Sequence, residues 1–249
     1  MKRMILVMVT AIVLASGSAW AAEATATLDF NSAYVWRGIT FNDGLVAQPS
    51  LDVSAGGFGI NVWGNFDLDD YSDTLEKNEF SEVDLTLSYT FNVQNLEIGF
   101  GIIEYLFPAG GDGTRELFAS IGVPIIGGLS AGWSFYYDVD EVESYYTEVS
   151  LAYAMALAAG LDLEVGGKAG YAGKDFAQAY SGAATDGGFY DYGLYMGLSY
   201  AVSDALSLGA SVHYTNTLDK DVLPDADIAN GIYGHDTEWI AGLTISYSF

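Results

Sequence analysis

Two histidines are the only imidazoles in the chain, and one of them, His213, follows Ser211 by two residues. On a strand, residues two apart share a face about 6–7 Å apart at the backbone, so a hydroxyl and a base would stand side by side. Nucleophilic catalysis also needs an activated nucleophile and an orienting group. No serine sits in a Gly-x-Ser-x-Gly elbow. Ser211 and His213 therefore read as a lining hydroxyl and imidazole, His235 reads as solvated, and no catalytic residue is assigned.

Carboxylates are the other chemistry on offer. Acidic clusters occur at DLDDYSDTLE from Asp67, DVDEVE from Asp138 and DKDVLPDAD from Asp219. Asp-x-Asp spacing suits hard cations, but none of the three has the Gly at position six and final Glu of a twelve-residue calcium loop. They read as a solvated acidic rim without a metal site. Weak bridging of divalent ions to lipopolysaccharide phosphates would need no dedicated site. The chain has no cysteine, no Gly-rich phosphate loop and no basic stripe, so no cofactor and no nucleic-acid partner are expected.

The N-terminus bears on compartment. Lys2 and Arg3 precede the apolar run MILVMVTAIVLA, and Ala19-Trp20-Ala21 satisfies the small-x-small cleavage rule. Residues 1–21 are expected to be a cleaved secretory signal peptide, leaving 22–249 as one domain. That remainder holds six basic residues against 33 acidic ones, in a chain that is 51% hydrophobic and 14% aromatic. Charge and hydrophobicity this high together require a structure that segregates them. The charge repels nucleic acid and attracts cations.

The segregating device is alternation with period two, the mark of strands with two unlike faces. Twelve such runs follow Ala22, among them Val83, Leu85, Leu87, Tyr89 and Phe91 against Glu82, Asp84, Thr86, Ser88 and Thr90. Short turns alternate with longer polar loops. Outward aromatics gather at both strand ends. Phe58, Phe91, Tyr153, Tyr200, Tyr247 and Phe249 lie near the short turns. Tyr34, Trp36, Phe66, Tyr137, Tyr145, Tyr171, Tyr190, Tyr192, Tyr214 and Trp239 lie near the long loops, with aliphatics between. Two aromatic girdles around an aliphatic band are the pattern of an all-β transmembrane antiparallel up-and-down barrel of about twelve strands in a bacterial outer membrane. Both termini are expected in the periplasm, the outer face in lipid and lipopolysaccharide, and the terminal Phe249 at the barrel-assembly machinery.

The opposite parity carries Asp29, Asp52, Asp67, Glu82, Asp84, Glu97, Glu116, Asp138, Glu148, Asp162, Glu164, Asp191 and Glu238, with Arg37 and Lys168 as the clear cations. So many carboxylates are costly in a dry interior. They favour a water-filled, cation-attracting lumen over a plugged one, with a structural polar interior as the other reading. Arg37 either pairs with inward carboxylates and braces the first loop, or stands as a lone positive constriction. The expected function is a narrow porin-like channel for small polar or cationic solutes. The rival is a non-conducting structural or adhesive barrel whose acidic loops bind divalent cations.

Ser32, Tyr34, Arg37-Gly38-Ile39-Thr40, Asp43, Ala47-Gln48, Asp52, Gly57-Phe58 and Val62-Trp63-Gly64 resemble the opening of the TorF-type porin family of proteobacteria. Glu82-Val83-Asp84, Tyr105 and Phe107-Pro108 continue the likeness, which covers residues 25–150 and departs at Leu45-Val46. The resemblance implies a small outer-membrane barrel with passive transport, no assigned substrate and no catalytic residues.

Overall fold

The computed structural model describes residues 22–71 and 75–249; the expected signal peptide, residues 1–21, lies outside the described residues. The elements in chain order are β1 (Glu23–Asn31), β2 (Tyr34–Trp36), β3 (Ile39–Asn42), β4 (Val46–Ala55), β5 (Phe58–Asp67), β6 (Glu79–Val93), β7 (Leu96–Leu106) and β8 (Thr114–Ile126). They continue with β9 (Leu129–Asp138), β10 (Tyr145–Ala158), β11 (Leu161–Ala172), helix α1 (Lys174–Ser181), β12 (Gly188–Ala201), β13 (Leu206–Thr217) and β14 (Trp239–Ser248). β1 and β4–β14 form a closed barrel of twelve antiparallel strands, and β2 with β3 forms a separate hairpin. Closure pairs every edge, which a strand crossing lipid requires because no water is there to satisfy its backbone.

The seam lies between β1 and β14, in register from Thr25 opposite Ser248 to Asn31 opposite Gly242. Inward hydroxyls tie it: Thr25 to Ser248 at 3.1 Å and Thr27 to Ser246 at 3.0 Å. Connections alternate in length as the sequence indicated. Tight turns such as Gly56–Gly57 and Gly127–Gly128 stand at one end with Glu23 and Phe249, and the longer loops stand at the other.

The faces divide as alternation predicts. Leu87, Leu117, Leu151, Leu194 and Leu243 are all exposed on the outer wall. A soluble barrel would hide them; a lipid-facing wall shows them. Outward rings cluster near the long loops, with Phe135, Tyr145 and Tyr171 stacked and Tyr192, Tyr214 and Trp239 in contact. Phe58, Tyr89, Phe91 and Phe100 form a matching cluster near the short turns.

Three expected girdle residues are instead inside. The chain leaves the wall after Asn31, so alternation continued through Tyr34 and Trp36 loses its meaning there. Tyr34 is buried, and Trp36 packs on Tyr105, Phe176 and Tyr180. The third is Tyr190. Across β11 and β12, Ala169 faces Tyr192 while Tyr171 faces Phe189, so Tyr190 and Asp191 together oppose Gly170. Such a bulge puts one extra residue on its strand, and both Tyr190 and Asp191 are fully buried.

Candidate functional site

The hairpin that leaves the wall turns on Arg37 and Gly38, whose φ angles are 48° and 79°. Two positive φ values in a two-residue loop are the geometry that a tight hairpin prefers, usually served by Asn-Gly. Glycine is required at the second position. A Cβ on Gly38 would lie 2.7 Å from Asp191 Cβ and 2.7 Å from Leu223 Cδ2. Arginine at the first is strained, because non-glycine residues seldom occupy that region. The hairpin is held at its sides as well. Thr40 Oγ1 accepts hydrogen bonds from the Asp236 and Thr237 backbone amides, and Asn42 Nδ2 donates to Asp67 at 2.7 Å.

The strain delivers the Arg37 side chain to the far wall of the barrel. Its two terminal nitrogens donate to the two Glu116 oxygens, each at 2.7 Å, with side-chain exposures of 6% and 0%. Tyr105 donates a third hydrogen bond to Glu116 at 2.9 Å. Rings enclose the guanidinium: its central carbon lies 4.2 Å from the Trp36 ring centre, 4.3 Å from Tyr136, 4.6 Å from Tyr146 and 5.4 Å from Phe176. Burial alone would lower the basicity of this guanidinium; the adjoining Glu116 carboxylate reverses the effect and holds it above its ordinary value.

Around this pair lies a wider polar network. Lys168 donates to Glu148 at 3.0 Å and stands 3.7 Å from Asp191. Tyr146 donates to Asp191 at 2.8 Å, and Tyr34 donates to Glu82 at 2.8 Å. Asp84 keeps one buried oxygen with no hydrogen-bond partner. Gly170 makes room for the network, since a Cβ there would fall 2.2 Å from an Asp191 oxygen and 2.4 Å from the Tyr146 hydroxyl.

Above the network sits an apolar core inside the barrel mouth. α1 buries Phe176 and Ala177 against Ile39, Tyr146, Tyr190 and, from the last long loop, Val222 and Leu223. The hairpin, α1 and the last loop together fill the long-loop half. The expectation of an unplugged, water-filled lumen is therefore corrected for that half. Apolar burial by three loop segments supplies what carboxylates alone could not.

The short-turn half differs. Asp52, Glu97, Asp162 and Glu164 are solvent-exposed there, and Asp29 is half-buried. Asp52 accepts from Asn61 at 2.8 Å and Glu164 from Tyr195 at 2.7 Å, and Asp29 accepts from Thr244. None of the six basic residues of 22–249 lies nearer the short turns than Lys168. A cavity of about 410 Å³ lies directly beneath the hairpin, lined among others by Tyr34, Arg37, Gln48, Trp63, Lys168 and His213. Glu238 sits at the long-loop rim, with Asn216 donating to it at 3.0 Å.

The structure thus gathers Arg37, Glu82, Asp84, Glu116, Glu148, Lys168 and Asp191 into one constellation. It leaves Asp29, Asp52, Glu97, Asp162, Glu164 and His213 spread along the lumen below. Sequence reasoning passed over Tyr136, Tyr146 and Phe176, and named Tyr105 only for the family resemblance. The three tyrosines carry inward parity on their strands, so alternation was available to mark them; nothing local marked Phe176. His213 stacks on Tyr195. Among the described residues, no three His, Asp or Glu side chains are grouped so as to hold a metal ion.

No protein-family model matches the chain, and no curated protein matches it. Solved structures do. An outer membrane channel from Pseudomonas putida F1 superposes with a TM-score of 0.57 at 10% identity, over 94% of this chain and 98% of that one. The KdgM porin, in complex with disordered oligogalacturonate, gives 0.53 at 11% identity over 91% and 99%. The NanC porin gives 0.52 at 11% over 91% and 98%. At these identities the likeness is one of fold: the twelve-stranded barrel is of the kind that small porins adopt.

Proposed function

We propose that the chain is a porin-like channel of the bacterial outer membrane, passing small polar solutes by diffusion with a preference for cations. The carrying observation is the short-turn half of the lumen, where Asp52, Glu97, Asp162 and Glu164 are exposed and, among the described residues, no Lys or Arg accompanies them. Exposed carboxylates in a confined passage lower the energy of entering cations and raise that of anions. The neighbouring KdgM porin was solved with oligogalacturonate, a polyanion; a lumen of this charge disfavours such a solute. The sequence resemblance to TorF-type porins supports the same class. In this reading the termini face the periplasm, lipid and lipopolysaccharide surround the wall, and the assembly machinery recognises the end of β14 with Phe249.

Conductance across a planar bilayer tests it, with reversal potentials measured in a salt gradient. Small cation-selective conductance is the expected result; anion selectivity, or none even after the hairpin is removed, overturns the proposal. One observation favours a second reading. The hairpin, α1 and Leu223 close the long-loop half with a packed core, as a non-conducting structural or adhesive barrel would. Its acidic loops would then meet divalent ions or partners outside.

A further inference from the structure

A guanidinium group is already bound inside this barrel, and the chain itself supplies it. The receptor consists of Glu116 and Tyr105 for hydrogen bonding, and of Tyr136, Tyr146 and Phe176 for the faces of the cation. These are wall or α1 residues distant in sequence from Arg37, and the hairpin itself adds the Trp36 ring at 4.2 Å. Two features set it apart from an ordinary structural ion pair. The ligand is carried on a strained turn position where Asn or Gly would serve the hairpin better. Strain of this kind concentrates where a side chain must be delivered to a functional position. Arg37 also lines the cavity beneath the hairpin, so the bound cation, though not the groups that hold it, borders that space.

We propose that this pocket is the recognition site for guanidinium-bearing solutes, and that Arg37 occupies it as a tethered competitor. A soluble guanidinium entering from the acidic lumen replaces the Arg37 side chain and frees the hairpin tip. The selectivity follows from the receptor. Two parallel hydrogen bonds to one carboxylate suit a planar fork, and stacked rings suit its flat faces; an ammonium ion makes neither arrangement. Glu116, with no exposure, strongly resists being left unpaired, so the exchange is of one cation for another. Because the resident ligand is tethered, a free solute meets an effective competitor concentration on the order of millimolar. Untethering should therefore lower the concentration needed.

The test is a binding measurement on the full barrel in detergent micelles, independent of conductance. Methylguanidinium chloride is titrated into Arg37→Ala by calorimetry, with methylammonium chloride at equal ionic strength as control. Saturable binding of methylguanidinium, at least tenfold weaker for methylammonium and lost in Arg37→Ala/Glu116→Gln, is expected. No saturable binding, equal binding of the two ions, or survival of binding without Glu116 overturns the proposal. Should Arg37→Ala not fold, the unsubstituted barrel decides: methylguanidinium, and not methylammonium, must speed hydrogen exchange at the Ile39 and Thr40 amides, and equal rates overturn it. The site rests in part on the channel reading, and the two fail separately. Binding in a barrel that never conducts sinks the channel, and conduction without binding sinks the site.

Discussion

Arg37 and Glu116, 79 residues apart in sequence, meet inside the barrel through two parallel hydrogen bonds of 2.7 Å. One stands on a hairpin tip and the other on the opposite part of the wall, so the pair fastens the plug to the barrel. Removing either partner strands a buried charge. Arg37→Ala and Glu116→Ala are each expected to cost about 3–5 kcal/mol of unfolding free energy. The double substitution should cost less than their sum, as measured by denaturant unfolding in micelles. Strict additivity would show that the pair does not act as a unit.

Gly38 tests how closely the tip is seated. With φ at 79° and Asp191 and Leu223 each 2.7 Å from the position of a Cβ, Gly38→Ala meets both backbone strain and collision. The expected cost is about 1–3 kcal/mol, with faster hydrogen exchange along β2 and β3. Unchanged exchange would mean that the tip has room the geometry does not show.

Replacing Tyr34–Asn42 with a short Gly-Ser linker should leave the barrel closed, because β1 pairs with β4 over its whole length without the hairpin. Single-channel conductance should rise several-fold. Equal conductance before and after would place the constriction elsewhere.

Neutralising the exposed lumenal acids separates charge selection from plugging. The combined variant Asp52→Asn, Asp162→Asn and Glu164→Gln should shift the reversal potential away from cation preference with little loss of stability. An unchanged potential would remove these residues from the permeation path.

The lipid wall has its own check. Leu243, in the middle of β14, is 63% exposed. Leu243→Arg should cost about 2–4 kcal/mol in lipid vesicles, as arginine does at a bilayer midplane. Ser211→Arg, facing the lumen on the adjacent strand, should cost clearly less. Similar costs at the two sites would contradict the assignment of the faces.

Alternation placed the walls well because period two maps directly onto inside and outside wherever a strand stays in the sheet. Glu116, Glu148 and Lys168 all fell inside on that basis. The rule broke where its premise did. At Tyr34 and Trp36 the chain had left the sheet, and at Tyr190 one extra residue shifted the phase. Neither event has a signature in hydrophobicity, since an aromatic suits a lipid girdle and a plug core equally well.

By itself, the sequence determined a twelve-stranded barrel with an apolar outside, an acidic inside and loops sorted by length, because each follows from local alternation and turn chemistry. It also marked Arg37 as an inward cation with carboxylates within reach. Only the tertiary structure decided which carboxylate holds it, that four rings surround it, and that the long-loop half of the lumen is filled. Those outcomes depend on where β8, β9, β10 and α1 converge around a hairpin tip. That convergence is set by barrel closure and by apolar burial among distant segments, neither of which any local stretch encodes.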